Sequence, residues 1–214
     1  MISRAAPGPK SPSTSLPSRL RRLRRAELPI DTEALARFLI GATIVRDLPE
    51  GRAVARIVET EAYLPMDAAA HSFRGKTARN RTLFGRRGHA YVYYIYGNYY
   101  CFNVSAEAAG VGAGVLIRAA EPLRGLEGMR VRRPGARDRD LLRGPGRLAS
   151  ALAITRAEDG LDLCAAGPLW LAAPLAPRAE IVTSRRIGLT KEVDRLLRFY
   201  ERGNPHVSGA KNAG

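Results

Sequence analysis

The run ATIVRDLPEGRAVARIVETEAY, residues 42–63, reads as two β-strands folded around a Pro-Glu-Gly turn. Apolar and β-branched residues fill both arms, and Pro49, Glu50 and Gly51 separate them. In the second arm, period-two alternation places Ile57, Glu59, Glu61 and Tyr63 on one face. A solvated strand face accounts for two glutamates there. A carboxylate turned into a cleft accounts for them too, and the neighbouring segments bear on the choice.

Upstream, LPIDTEALARFLIG predicts a helix capped by Asp31, with Leu35, Phe38 and Leu39 on one face and Gly41 at its end. Downstream, AYLPMDAAAHSFRGKTARNRTLF is long, polar and aperiodic, the pattern of a loop that organises a site. A third and a fourth strand bracket the YGN turn at residues 96–98, and a fifth is GVLIRAA, residues 114–120. Pro122 is expected to begin a short helix through LRGLEGMR. Another helix is expected in GRLASALAIT, followed by short apolar runs in PLWLAAP, EIVTSRRIGL and LLRFYERGNPHVS. Strands dominate the middle and helices flank them, which favours a single mixed α/β (α+β) domain. Periodicity leaves the strand order open.

The chain has 214 residues and is 45% hydrophobic, enough for one domain with a sizeable core. Residues 1–26 are rich in Pro, Ser and Arg with little apolar patterning, which predicts a flexible basic tail ahead of a domain at 27–208 and a short tail at 209–214. Seven basic residues and no acidic one precede Ala26, so 28 basic side chains still face 20 acidic ones in the remainder. A body that is basic in its own right favours a polyanionic partner, although a general arginine bias accounts for the same excess. Two cysteines, Cys101 and Cys164, do not make a disulfide framework, and Cys101 reads as a small buried hydrophobe. The histidines His71, His89 and His206 lack the spacing of a zinc site, so no metal and no cofactor is expected. No stretch approaches a membrane span, and the basic N-terminus lacks an apolar h-region. A cytoplasmic protein is the simplest expectation.

Two further features point to chemistry. Arg118 interrupts an apolar strand, so it is either solvent-facing or paired with a buried carboxylate; a Glu61–Arg118 pair would keep a glutamate ionised in a cleft, as a general base for water requires. Six of the eight tyrosines fall within YVYYIYGNYY, residues 91–100, more rings than one hairpin readily buries. Tyr96, beside the Gly97-Asn98 turn, is placed as a wedge of the kind that unstacks base pairs, and Tyr93 can line a pocket wall. An aromatic-rich hairpin packed on a helix is the plainer alternative.

The stretches RIVETEAY, AAHSFRGKTARNRTLF, YVYYIYGNYYCFNVS, VLIRAAEPLRGLEGMR, RGPGRLASALAI and LRFYERGNPHVS together resemble the alkyladenine (3-methyladenine) DNA glycosylase family, in family order over roughly residues 30–208. The resemblance implies a curved, mainly antiparallel central sheet flanked by helices, with a protruding β-hairpin. It implies double-stranded DNA containing damaged purines as partner, for a monomer without cofactor associated with the chromosome. By position, Glu61 matches the glutamate that activates water and Arg118 the arginine that positions both. Tyr63, His71 and Tyr93 match the aromatic walls of the base pocket, Asn103 the asparagine that disfavours guanine, and Ile187 and Gly188 the pocket edge. Tyr96 matches the residue that fills the gap left by the flipped nucleotide, with Asn98 beside it at the hairpin tip. The Glu61–His71 loop is one residue shorter than in mammalian members, Asn98 replaces a common methionine, and Tyr94 stands where an aliphatic is common.

Lys76 and Arg79 follow the pocket histidine directly and are candidate phosphate contacts, as are Arg130 and Arg143 in the second basic concentration. The activity implied is hydrolysis of the N-glycosidic bond of alkylated adenine or guanine, and of hypoxanthine or ethenoadenine, leaving an abasic site. A non-catalytic module that recognises distorted DNA by shape, or an RNA-binding protein stacking bases on its tyrosines, would use the same aromatic and basic residues without needing a defined carboxylate.

Overall fold

Residues 42–63 form the expected hairpin in the computed structural model, which describes residues 20–95, 97 and 99–209. Strands β1 (Thr43–Leu48) and β2 (Gly51–Tyr63) run antiparallel, with Thr43 opposite Arg56 and Leu48 opposite Gly51. Gly51 takes φ +129°, which the absence of a Cβ permits. Helix α1 (Thr32–Leu39) leads into the hairpin; the Asp31 carboxylate accepts the Ala34 N–H at 2.7 Å, and Leu35, Ala36 and Leu39 are buried.

Strand β2 is the axis of the sheet. Along one edge it pairs with β5 (Gly114–Arg124); along the other it pairs first with β1 and then, at Glu59–Glu61, with β8 (Arg198–Glu201). With β3 (Ala90–Ile95), β4 (Tyr99–Ser105), β6 (Leu169–Ala172) and β7 (Ile181–Ser184) the order is β3-β4-β5-β2-β1-β6, and β7 adds to β8. Every pair is antiparallel. Helices α2 (Leu126–Arg132) and α3 (Pro145–Ala151) complete a single mixed α/β domain built on one curled sheet, as expected. A continuous core runs from Leu35 and Leu39 through Ile57, Phe102, Val115 and Ile117 to Met129 and Leu148.

The alternation expected in β2 is broken once, with consequences for the site. Ile57 pairs with Ala120, Glu59 with Ala119 and Thr60 with Ile117, so Val58 and Arg118 each lack a partner opposite. Such bulges bend a strand and re-aim its side chains. Ile57 therefore belongs to the main core, whereas Val58 packs with Ala119 and Val207 in a separate cluster. Beyond the bulge, Thr60 donates to the Ala36 carbonyl at 3.0 Å and Ala62 joins the core, which turns Glu61 and Tyr63 the other way. Ile57 does not share their face.

Two other expectations are corrected. Pro122 does not open a helix; it stays in β5 opposite Ala55, at a point where the pairing is already irregular and a missing N–H is tolerated. Arg56 pairs with Glu121 at 2.6 Å and holds the strand there, and α2 begins only after Gly125. The tail predicted through residue 26 also gives way earlier. The Leu23 N–H donates to the Leu171 carbonyl and the Ala173 N–H to the Arg21 carbonyl, both at 2.9 Å. This backbone pairing runs along the free edge of β6, where Leu23 is buried and the Arg22 guanidinium lies 4.6 Å from the Trp170 ring. An open sheet edge and two leucines among the arginines explain the docking. Residues 1–19 and 210–214 lie outside the described residues. Among those described, no helix is long and apolar enough to cross a membrane.

Candidate active site

Glu61 is completely buried near the middle of the sheet, with three partners around its carboxylate. Its Oε1 accepts the Ile187 N–H at 2.7 Å, its Oε2 accepts the Tyr63 hydroxyl at 3.0 Å, and Arg118 Nη1 stands 3.2 Å from Oε2. The pairing of Glu61 with Arg118, anticipated from an arginine in an apolar strand, is therefore present. A carboxylate has about four lone-pair positions, so one on Oε1 stays free.

In front of this group lies a cavity of about 380 Å³ lined by Tyr63, His71, Tyr93, Asn103, Arg118, Ile187 and Gly188 among others. All these sequence-predicted pocket residues meet there. His71 stands over Tyr93 with ring centroids 4.3 Å apart at 64°, and its Nδ1 is 3.0 Å from the Tyr91 hydroxyl. Asn103 donates to the Tyr91 carbonyl at 3.1 Å from the cavity wall. Cys101 is buried as expected, but it lines this cavity rather than the core.

The loop that carries His71 is rigidly braced. Asn80 donates to the His71 and Gly75 carbonyls at 2.8 and 3.0 Å and accepts the Thr77 N–H at 2.7 Å. Asp67 and Arg186 form an ion pair from which water is fully excluded, and the Arg186 guanidinium lies 4.7 Å from the Tyr63 ring. Neither Asp67 nor Arg186 was anticipated: they are 119 positions apart, and nothing in local spacing links them.

Electrostatically, the lining rings are neutral. Burial pushes the Tyr63 and Tyr93 phenols far above their ordinary range, with Glu61 adding to the effect at Tyr63. Partial desolvation of a residue that still stays open to solvent, and then Arg79, lower the His71 pKa, so its imidazole is uncharged at neutral pH. Burial opposes the charge on Arg118, but Glu61 and Glu59 outweigh it and its pKa is raised. The cavity is thus an aromatic slot with a balanced ion pair at its base.

The remaining candidates divide. Tyr96 and Asn98 lie outside the described residues; beside them, Tyr94 and Tyr99 are about half exposed, 47% and 48%, at the end of the β3–β4 hairpin. Tyr99 rests on α3 at Gly146, where a Cβ would come within 2.9 Å of it. Arg79 donates to the Tyr94 carbonyl at 3.2 Å, and Lys76 is exposed. Beside His71 a second cavity of about 450 Å³ is lined by Arg74, Arg79 and Lys191, and among the described residues no carboxylate lines it. Arg130 is instead occupied by Glu127 and Asp138, and Arg143 by Asp140 and the Val207 carbonyl at 2.8 Å.

The sequence profile of the methylpurine-DNA glycosylase (MPG) family matches residues 26–205, a span that contains every element from α1 to β8. Three similar curated proteins each carry the name "Putative 3-methyladenine DNA glycosylase". One from Mesorhizobium japonicum is 62% identical over 88% of this chain and 90% of its own. One from Paraburkholderia phytofirmans is 49% identical over 88% and 89%, and one from Methanocella arvoryzae 48% identical over 83% and 90%. With a buried glutamate behind an aromatic slot and a match over nearly the whole described fold, the chain belongs to the methylpurine-DNA glycosylase family.

Proposed function

We propose that the chain excises damaged purines from double-stranded DNA, hydrolysing the N-glycosidic bond to leave an abasic site without cutting the strand. The observation that carries this reading is Glu61: a carboxylate with one lone pair free, fixed by Ile187, Tyr63 and Arg118, all three of which line the aromatic cavity. A purine cannot be attacked inside the stack, so the damaged nucleotide flips into the cavity, and weakly paired lesions flip most cheaply. Tyr63, His71 and Tyr93 then surround it, and electron-rich neutral rings favour an alkylated, cationic purine. Asn103 on the wall selects among purines by what it leaves room for, and Tyr96 fills the vacated stack.

Glu61 takes a proton from a water whose oxygen bonds to C1′. The C1′–N bond breaks and its electron pair leaves with the base, which departs neutral when it was cationic. As C1′ acquires oxocarbenium character, the same carboxylate stabilises it. No lysine is found among the described residues lining the cavity, which supports water over an amine as the nucleophile.

The test is an excision panel of duplexes carrying 3-methyladenine, 7-methylguanine, hypoxanthine or ethenoadenine. Wild type is expected to release base from at least one, and Glu61→Gln to bind the same duplex without releasing it. Equal release by both proteins would refute the mechanism. Lesion binding without release by either would establish a non-catalytic reader of distorted DNA.

A further inference from the structure

Glu59 plays no part in the chemistry above, yet it is fully buried and accepts four hydrogen bonds. Its Oε1 accepts from Arg118 Nε at 3.2 Å, Arg198 Nε at 2.6 Å and the Ser208 hydroxyl at 3.0 Å, and its Oε2 accepts the Ser208 N–H at 2.6 Å. Arg118 is consequently held from three sides: Nε on Glu59, Nη2 3.5 Å from the Ser208 hydroxyl, and Nη1 on Glu61. We propose that Glu59 is a positioning residue for base excision, which with Ser208 turns the Arg118 fork away from Glu61 so that a single nitrogen faces that carboxylate.

The inference rests on the glycosylase reading and deepens it. A guanidinium left beside one carboxylate prefers to bind it with two parallel N–H groups. A two-pronged grip on Glu61 would cover the lone pair that must accept the proton from water. Here that double-donor edge, Nε with Nη2, is spent on Glu59 and Ser208. Two arginines, Arg118 and Arg198, face two carboxylates, so the paired groups of the buried cluster match in number. Alternation sets Glu59 on the same side of β2 as Glu61, and the bulge in β5 leaves Arg118 without a partner opposite, between the residues that pair with Glu59 and Thr60.

The test compares wild type, Glu61→Gln, Glu59→Gln, Ser208→Ala, Arg118→Lys and the Glu59→Gln/Arg118→Lys double variant. Three quantities are read: the single-turnover rate of base release, the Kd for a duplex holding a tetrahydrofuran abasic analogue, and the thermal midpoint. Glu59→Gln is expected to slow release by about 10- to 100-fold through misplacement of Arg118, with the analogue bound as tightly as by wild type. Ser208→Ala shifts the rate in the same direction by less, and it decides the matter if Glu59→Gln does not fold. In the Arg118→Lys background Glu59→Gln costs no further rate, because both act through one guanidinium. A wild-type rate in the folded variants overturns the inference, as does a rate that falls only in step with binding, or effects that add in the double variant. Those failures leave the glycosylase reading intact as long as wild type releases base and Glu61→Gln does not; a wild type that releases none removes both.

Discussion

At the scale of single residues, Tyr63 has two roles that one substitution separates. Its ring lines the cavity and its hydroxyl holds Glu61 Oε2 at 3.0 Å. Tyr63→Phe keeps the ring and removes a hydrogen bond to a charged group, worth about 1.5–3 kcal/mol in a buried setting. The single-turnover rate is expected to fall roughly 10- to 100-fold on that basis, with lesion binding unchanged; an unaltered rate would mean that Ile187 and Arg118 suffice to orient the carboxylate. His71 makes a second prediction, in pH. Burial lowers its pKa below the ordinary 6.5 in the folded protein, so the unfolded chain takes up the proton first as pH falls. The stability contributed by neutral His71 is complete above pH 6.5 and is lost as pH drops through the folded pKa. His206, also lowered by burial, acts with the same sign. Urea midpoints are expected to fall between pH 7.5 and pH 5, and His71→Asn to flatten part of that fall.

Elements were legible wherever local rules decide them. The capped helix before Gly41, the 42–63 hairpin and the strands flanking residues 96–98 follow from caps, alternation and turn residues, and each stands where expected. Alternation misplaced Ile57 because a bulge is a property of two strands, and the strand opposite β2 here, β5, is far away in sequence. Proline chemistry misled at Pro122, where an ion pair across the sheet outweighs a local preference for starting a helix. The candidate site was legible in its central charged pair and opaque in its supports. Glu61 and Arg118 betray themselves as charges in apolar strands, whereas Asp67, Arg186 and Ser208 sit in irregular segments with no period to violate. The Asp67–Arg186 pair ties the His71 loop to the segment that carries Ile187. Asp67→Ala leaves Arg186 buried without its counter-charge and is expected to cost about 3–5 kcal/mol of stability. Chemical denaturation measures it, and a loss within about 0.5 kcal/mol, typical of an indifferent surface site, would show the loop to be held by Asn80 alone.

For the whole molecule, net charge is the coarsest signal and the one that composition alone leaves ambiguous, since +15 fits either a polyanion partner or a biased genome. The fold sorts the charges. Arg130, Arg137 and Arg143 are drawn into ion pairs with Glu127, Asp138 and Asp140, so much of the second basic concentration is internally neutralised. Arg74, Arg79 and Lys191 instead line a cavity next to His71 that no carboxylate lines among the described residues. If these three cations meet phosphates, each releases about one counterion, and the slope of log K against log salt loses roughly 0.9 per side chain removed. Arg74→Ala and Lys191→Ala are therefore expected to weaken lesion and undamaged duplex alike, to lower the salt slope by about one each, and to leave the single-turnover rate at saturating enzyme unchanged. Arg130→Ala, whose charge is already spent on Glu127 and Asp138, is expected to leave the slope as it is. The reverse pattern, a slope that falls with Arg130 and not with Arg74 or Lys191, would move the DNA path from the His71 side of the molecule to the α2 side.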